Sequence, residues 1–359
     1  MKQRKKIFSI VIFILFSITI LEARNLDKDI ETLIVKYNKK FESKNIIISI
    51  MDNKTGKIIY LSDPKIATQY EFEPGSIIKP ISISLVLDHN KVKTNELIDA
   101  YNDGKKDKNG YYPRGKYKLN RWTIGDDHKI KKHNMTLEDI IIHSSNIGTL
   151  ILAQRLTGEE FFNGFKSFGL SKKTDIDIAN EKRGLLHHLY QYKLGEKSGK
   201  DNVFKATDSY GQGITVTFMQ MMKAYSVFND NGIITTPYLK LPFIVVKKQI
   251  IKPTTANTIK NYLISNVKKG TAKKAYIKGI EIGAKTGTAN IVENGKYVRK
   301  YISSCFGFVN FDNHKYTIGV SIIDPIHSGK HWYYYYASQS AVPIFKDVSK
   351  LLINSDNTK

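Results

Sequence analysis

The sequence predicts an α+β fold in which a β-sheet carries a mainly helical insertion. A run of β-branched residues near the start of the chain predicts a hairpin over 46–60. Three further strand-like runs, over 280–288, 304–311 and 316–323, lie near the end. The segments between them have helical periodicity, so both ends of the chain are expected to contribute strands to one sheet.

The individual elements follow from local sequence signals. The Asn- and Gly-containing turn at 52–56 joins the first two strands. Pro74 and Gly75 break the chain before an apolar stretch that runs to Leu87 and predicts a buried helix. Further helices are expected over 137–142, 147–156, 214–228 and 341–353.

Composition places the chain among globular proteins. It has 359 residues, 41% of them hydrophobic, which supports a sizeable core and excludes extensive disorder. The 56 Lys and Arg against 33 Asp and Glu give a formal charge of +23. Basic residues are spread along the chain, and Lys far outnumbers Arg, the usual base-reading residue. Nucleic-acid binding is therefore disfavoured, and a surface facing anionic lipid or an acidic polymer fits the charge at least as well.

The N-terminal segment predicts export. Basic residues within 2–6 precede an uninterrupted apolar run over 7–21. This run is long for a signal peptide and short for a full span of about 20 residues. Leu21-Glu22-Ala23 is a poor cleavage site, so an uncleaved anchor is favoured over a cleaved signal. A buried core helix is disfavoured because the run has no polar face.

The predicted organisation follows from these boundaries. Residues 1–23 form the membrane anchor or signal segment, and 24–45 form a short polar linker or helix. The remaining chain, 46–359, is one domain outside the cytoplasm, with a helical and loop insertion over about 91–205. Cys305 is the only cysteine, so no intrachain disulfide forms, and it is expected to be a small buried strand residue.

Ser76 and Lys79 are the candidate nucleophile and base. Three residues apart on a helix, they share one face, and a Lys in an apolar setting can lose its proton near neutral pH. The Ser-x-x-Lys pattern also occurs at 62–65 and 265–268. The first contains Pro64, and the second lies in a polar stretch, so only Ser76 opens an apolar helix. Burial of Lys79 is required for this chemistry.

Four further segments complete an ordered set of motifs. Lys-Thr-Gly occurs in the hairpin turn at 54–56 and again at 285–287, and Ser-x-Asn occurs at 43–45 and again at 144–146. The set is Glu73-Pro74-Gly75-Ser76-Ile77-Ile78-Lys79, Ser144-Ser145-Asn146, Tyr210-Gly211-Gln212-Gly213, Gly270-Thr271-Ala272 and Lys285-Thr286-Gly287-Thr288.

With this set, the chain resembles the penicillin-binding protein transpeptidases over roughly 46–350, and most of all their membrane-anchored, monofunctional class B type. The resemblance implies a serine β-lactamase/transpeptidase-like fold, with an antiparallel five-stranded sheet flanked by helices. It implies a D,D-transpeptidase of peptidoglycan synthesis that acts on D-Ala-D-Ala stem peptides, binds β-lactams covalently and needs no cofactor.

The resemblance also assigns roles to single residues. Ser76 would be the nucleophile and Lys79 its base, and Ser144 would pass a proton to the leaving amine. Asn146 would hold the substrate amide, and Lys285 would supply positive potential. The hydroxyls of Thr286 and Thr288 would bind the substrate carboxylate. The backbone N–H groups of Ser76 and Thr288 would form the oxyanion hole. Gly287 is expected to allow close approach of the substrate backbone.

Alternative functions remain open at this stage. A D,D-carboxypeptidase or β-lactamase could use the same fold, and a non-catalytic β-lactam sensor or scaffold is the alternative from another class. Glu159 and Asn163 have the spacing of a β-lactamase motif, but the segment is predicted to be an ordinary helix start. A glycan polymerase partner is left open because only about twenty residues separate Leu21 from Asn45, where class B members have a large pedestal.

Three remaining features are given plain interpretations. His187-His188 and the 126–128 cluster lie in polar segments and are expected to be solvated, so no metal site is predicted. The aromatic run 332–336 either lines the substrate groove or packs at the edge of the domain. Ala337-Ser338 follows it where the family commonly has two glycines.

Overall fold

The protein is built around a five-stranded antiparallel sheet with the strand order β2-β1-β11-β10-β9. The computed structural model describes residues 26–240 and 245–356. The five strands are β1 (Asn45–Asp52), β2 (Ile58–Leu61), β9 (Glu281–Glu293), β10 (Lys296–Phe311) and β11 (His314–Ile323). Strands from both ends of the chain thus pair directly, as β1 does with β11. The predicted α+β fold with a five-stranded antiparallel sheet is confirmed.

The strand β1 is buried on both faces because its alternate residues enter two different cores. Ile47 and Met51 belong to the larger core, under the central helices. Ile46, Ile48 and Ile50 belong to the second core, on the opposite face of the sheet. A continuous apolar strand covered on both sides produces a three-layer arrangement of helix, sheet and helix.

The larger core lies between the sheet and the helices α2, α3, α9 and α10. Their bounds are α2 (Pro64–Gln69), α3 (Lys79–Asp88), α9 (Phe218–Asn229) and α10 (Pro253–Lys269). Thr217 caps α9 through a capping box with Gln220. Pro at the first turn starts α2 and α10, where its missing N–H costs nothing.

The second face of the sheet is covered by α1 (26–41) and α11 (Ala341–Asp356). Leu26, Ile30, Tyr37 and Phe41 of α1 are buried in the second core. The segment 24–45, expected to be a polar linker or helix, therefore includes a helix that packs on the sheet. The membrane-anchor prediction for 1–23 lies outside the described residues. Within 26–240 and 245–356, no helix has both the length and the apolar character needed to cross a membrane.

The insertion between α3 and α9 contains both helices and short strands. Its helices are α4 (Leu137–His143), α5 (Asn146–Gln154), α6 (Gly158–Ser167), α7 (Leu189–Tyr192) and α8 (Val203–Ser209). Its strands form two small ribbons, β3 (Ile98–Asp99) with β6 (Asn134–Met135) and β4 (Lys116–Leu119) with β5 (Trp122–Gly125). A third ribbon, β7 (Ile233–Thr235) with β8 (Lys247–Gln249), follows α9. The helical and loop insertion predicted over about 91–205 therefore also contains short strands.

Candidate active site

Ser76 lies on a short 3₁₀-helix, Gly75–Ile78, that continues directly into α3. The Gly75 N–H donates to the Gly211 carbonyl at 2.9 Å, and the Tyr225 hydroxyl donates to the Ile77 carbonyl at 2.6 Å. A Cβ at Gly211 would lie 2.2 Å from the Gly75 oxygen, so only glycine allows this contact. Two separate elements thus hold the backbone around the candidate nucleophile, whose side chain is partly exposed.

Lys79 is fully buried, as the chemistry required. Its Nζ donates to the Ser144 carbonyl at 2.5 Å, to the Asn146 Oδ1 at 2.7 Å and to the Ser144 Oγ at 3.3 Å. All three partners lie on the 144–146 turn, and none of them is Ser76. Burial lowers the pKa of Lys79 to about 8, although the charges of Asp126 and Asp127 act in the opposite direction.

Ser144 joins the two halves of the site. It follows the last residue of α4 in a left-handed conformation, with φ 57° and ψ 42°. Its Oγ accepts a hydrogen bond from Lys285 Nζ at 2.8 Å and lies 3.3 Å from Lys79 Nζ. A single hydroxyl therefore bridges two buried amines, one from the helical layer and one from the sheet.

Lys285 is also fully buried, on the edge strand β9. Burial, followed by repulsion from Lys79, holds the pKa of Lys285 well below its ordinary value. An anionic partner in the cleft, such as a carboxylate, would favour the charged form of Lys285 and with it the predicted positive potential.

The residues that follow Lys285 on β9 contact the segment around Ser76 and two further residues, Thr271 and Ala337. Thr286 Oγ1 donates to Thr271 Oγ1 at 2.7 Å, and the Ala337 N–H donates to Thr288 Oγ1 at 3.1 Å. A Cβ at Gly287 would lie 2.9 Å from Ile77 Cγ2 and 3.0 Å from the Pro74 oxygen. The close neighbour of Gly287 is thus the protein's own nucleophile segment, and the expectation that Gly287 allows close approach of the substrate backbone stays a prediction.

A cavity of about 480 Å³ opens beside Asn146. It lies between the β4–β5 ribbon and α8, with Trp122 and Ile124 on one side and Tyr210 and Gln212 on the other. The Tyr-Gly-Gln-Gly motif therefore has two functions in the structure. It supports the backbone before Ser76, and it forms one wall of a pocket next to the Ser-Ser-Asn turn.

Two of the residues expected to be solvated are instead buried or paired. The Asp126 carboxylate is 8% exposed and accepts hydrogen bonds from the 145–147 segment. His187 Nδ1 lies 2.8 Å from the carboxylate of Asp208, which is fully buried and also hydrogen-bonded to the Tyr192 hydroxyl. The hydrogen bond and charge of Asp208 raise the pKa of His187. A local sequence reading missed both partners because each comes from a distant part of the chain.

The β-lactamase-like spacing at Glu159 is part of a helix start, as predicted. Thr157 and Glu160 form a capping box at the N-terminus of α6. Glu159 pairs with Lys193 at 3.2 Å, and its side chain is 61% exposed. Its ion-pair partner is therefore a surface lysine and not either of the two buried lysines.

The remaining sequence predictions concern the C-terminal layer and metals. Cys305 is buried on β10, as expected. Tyr335 of the aromatic run stacks on Tyr301 with ring centroids 4.4 Å apart, and the Ser303 hydroxyl donates to its carbonyl. Across 26–240 and 245–356, no cluster of three or more His, Cys, Asp or Glu side chains could hold a metal ion.

Comparisons with known proteins agree with this geometry. Residues 46–350 match the family model described as the penicillin binding protein transpeptidase domain. The chain is 29% identical to stage V sporulation protein D of Bacillus subtilis (strain 168) over 318 residues, which are 80% of this chain and 46% of that protein. It is 27% identical to the probable peptidoglycan D,D-transpeptidase PenA of Neisseria flavescens, covering 92% of this chain and 81% of the relative.

A solved structure is similar over nearly the whole chain. The apo transpeptidase domain of penicillin-binding protein 3 from Burkholderia pseudomallei superposes with a TM-score of 0.78 at 26% identity, covering 93% of this chain and 95% of that one. The chain spans less than half the length of stage V sporulation protein D. The family match covers the sheet, the 3₁₀-helix and the Lys-Thr-Gly strand together. The chain therefore belongs to the penicillin-binding protein transpeptidase family, as its resemblance to the class B type predicted.

Proposed function

We propose that the protein is a serine D,D-transpeptidase that crosslinks peptidoglycan stem peptides ending in D-Ala-D-Ala. One observation carries the proposal: the Ser144 hydroxyl lies between two fully buried amines, 3.3 Å from Lys79 Nζ and 2.8 Å from Lys285 Nζ. Acyl transfer from a serine needs an amine that is uncharged near neutral pH, and this arrangement provides one.

The reaction proceeds through an acyl-enzyme. Ser76 Oγ attacks the carbonyl carbon of the penultimate D-Ala while Lys79 takes the hydroxyl proton. The bond to the terminal D-Ala nitrogen then breaks, and the proton passes through Ser144 to that leaving amine. In the second half, an amine of a neighbouring stem attacks the ester carbonyl. The Ser76 oxygen leaves and regains a proton, so the enzyme returns to its starting state.

The edge strand β9 supplies the binding surface for the donor. No strand among residues 26–240 and 245–356 pairs with its outer side, so an extended stem peptide can pair with it. Gly75 and Thr288 are neighbours, since a Cβ at Gly75 would lie 3.4 Å from the Thr288 oxygen. We assign the oxyanion hole to the backbone N–H groups of Ser76 and Thr288.

The terminal carboxylate of the stem peptide is assigned to the two threonine hydroxyls. The Thr286 hydroxyl donates to the Thr271 hydroxyl, and the Thr288 hydroxyl accepts from the Ala337 N–H. The carboxylate also favours the charged form of Lys285, which would then stabilise the developing oxyanion. Asn146 holds the substrate amide beside the cavity of about 480 Å³.

The proposal includes the cell envelope as the place of action. A domain whose substrate is in the cell wall has to be exported. Residues 1–23 would then act as its membrane anchor or signal. The domain 46–359 would then act at the outer face of the cytoplasmic membrane. β-Lactams are expected to acylate Ser76 because the lactam ring presents the same scissile amide. A glycan polymerase remains a candidate partner.

The test is intact-mass analysis after incubation with benzylpenicillin. One covalent adduct per chain is expected, which is lost in Ser76→Ala and retained in Ser265→Ala, the matched serine of another Ser-x-x-Lys segment. An adduct that persists for many minutes supports the transferase, and turnover within seconds would instead identify a β-lactamase. Release of D-Ala from a stem pentapeptide without crosslinked product would identify a carboxypeptidase. No adduct at all would support a non-catalytic scaffold.

A further inference from the structure

Asp126 is a buried acidic residue beside the active site. It follows the last residue of β5, and three hydrogen bonds join it to the start of α5. Oδ1 accepts from the Asn146 N–H at 2.6 Å and from the Ile147 N–H at 3.1 Å, and Oδ2 accepts from the Ser145 hydroxyl at 2.7 Å. Asp126 therefore holds Ser145, Asn146 and Ile147, of which the first two belong to the 144–146 turn that contacts Lys79.

The neighbouring residue fixes the side chain of Asn146. The Gly125 carbonyl accepts from Asn146 Nδ2 at 3.0 Å, which leaves Oδ1 facing Lys79 Nζ at 2.7 Å. A reversed amide would place two donors against each other at Lys79 and two acceptors against each other at Gly125. The 125–126 segment thus sets both the position of the turn and the orientation of the amide.

Asp126 pairs with no Lys, Arg or His side chain among the residues that the structure describes. A buried carboxylate without a cation is costly, and the hydrogen bonds it receives here are directed at a single segment. Its charge also acts on a neighbour, because it opposes the effect of burial on the pKa of Lys79. Asp126 therefore contributes both geometry and charge to the amine.

We propose that Asp126 is a positioning residue of the transfer reaction, which holds the Ser144–Asn146 turn against Lys79 and acts on that amine by its charge. This inference rests on the proposed function, because it assigns a task within the same reaction. A residue with only a structural role in capping α5 would leave the proton equilibrium of Lys79 unchanged.

The interpretation of a pH series of acylation rates depends on the charged groups around Lys79. Asp126 and Asp127 precede α4, His128 follows them, and Lys285 faces Lys79 from β9. Burial lowers the pKa of His128 from a value already below that of Lys79. Burial and the charge of Lys79 both lower the pKa of Lys285 below its ordinary value. His143, the residue before Ser144, also feels the charge of Asp126, and burial lowers its pKa. The pKa of Lys79 is about 8, so a limb near that pH is assigned to Lys79.

The experiment measures the acylation rate by a fluorescent penicillin between pH 6 and about 10 in Asp126→Asn and Asp126→Ala. Both variants lose the negative charge that raises the pKa of Lys79. The part of the pH profile in which the rate rises, its limb, is therefore expected to move to lower pH by the same amount in each. The plateau rate is expected to fall by up to about 10²-fold in Asp126→Ala, the effect of a small misplacement of reacting groups. The fall is smaller in Asp126→Asn, which keeps an oxygen acceptor.

Two matched variants separate charge from folding. Asp127→Asn removes the adjacent charge but keeps the contacts of Asp126 with 145–147. The limb is therefore expected to move to lower pH while the plateau rate is retained. Asp139→Asn removes a buried carboxylate from the capping box of α4, so thermal stability falls and the limb stays in place.

Each outcome decides the inference. An unchanged limb and plateau in both Asp126 variants would overturn it, and so would a lower plateau with an unmoved limb. If Asp126→Ala does not fold, the limb of Asp126→Asn decides alone. Failure of the unmodified protein to form any penicillin adduct would contradict the proposed function instead, so the two failures can be told apart.

Discussion

Among the residues that the structure describes, buried lysines occur in two regions, and their surroundings differ. At the active site, Lys79 and Lys285 contact side-chain groups of the Ser144–Asn146 turn. In α8, Lys205 is 4% exposed, and its Nζ donates to the backbone carbonyls of Gln154 at 3.4 Å and Leu156 at 2.7 Å. Burial lowers the pKa of Lys205 as well.

The comparison shows that burial of an amine does not by itself indicate chemistry. Lys205 satisfies the carbonyl groups that follow the end of α5, which is a structural task favoured for a cation at a helix C-terminus. Lys79 instead shares a hydroxyl with a second amine next to a partly exposed serine. What distinguishes the active site is the set of groups that meet there.

The largest expected effect comes from exchanging the lysines for methionine. Lys79→Met removes the proton acceptor, so the acylation rate by penicillin should fall on the order of 10⁴-fold. Lys205→Met keeps all groups of the site, so its acylation rate should match that of the unmodified protein. Stopped-flow measurement with a fluorescent penicillin compares the two. Equal losses in both variants would show that the effect is one of folding.

Lys285→Met is expected to lower the acylation rate by about 10²–10³-fold, because it removes a group that stabilises the developing charge. The pH limb of the rate should stay in place, because the pKa of Lys79 is set by burial and by the charges of Asp126 and Asp127, and Lys285 is not among these causes. The plateau and the limb are obtained from the same pH series. A limb displaced in this variant would indicate that the two lysines titrate together.

Ser144→Ala tests the hydroxyl that bridges the two amines. It removes a proton relay and leaves both lysines in place, so acylation should slow by about 10²-fold. The deficit should be larger for a stem peptide than for a β-lactam, because relief of ring strain assists cleavage of the lactam C–N bond and makes it less dependent on proton delivery to the leaving nitrogen. Equal deficits for both substrates would contradict the relay.

The smallest expected effect is on stability alone. Lys205→Met leaves the Leu156 carbonyl without this donor, so the free energy of unfolding should decrease by about 1–3 kcal/mol. Urea denaturation measures the change, and penicillin acylation at 25 °C provides the control. A loss of acylation in a folded Lys205→Met protein would remove the distinction between the two regions.

The fold could be predicted to the extent that it depends on local pattern. The β1–β2 hairpin, α3 and the C-terminal strands follow from apolar runs and from breaks at Pro and Gly. The hairpin β9–β10 extends further than the predicted strands, and its outer part was missed because residues 292–297 are exposed and include the turn. The β4–β5 ribbon was missed because each strand has only four residues, and Lys116 and Lys118 interrupt the first.

The site could be predicted as a set of residues but not as a set of contacts. Ser76, Lys79 and Lys285 were found from their motifs, and burial of Lys79 followed from the helix around it. The role of Asp126 depends on a pairing across about twenty residues, which no local pattern reveals. The contact of Gly287 with the Pro74 segment was not predicted because the two are distant in sequence.

The pH dependence of acylation tests the central claim most directly, that Lys79 is kept uncharged by burial so that it can accept the Ser76 proton. The rate of adduct formation with penicillin should rise with pH, reach half of its maximum near pH 8 and level off above, following the lowered pKa of Lys79. A rate that is independent of pH between 6 and 9, or the same limb in Lys79→Met, would contradict the account.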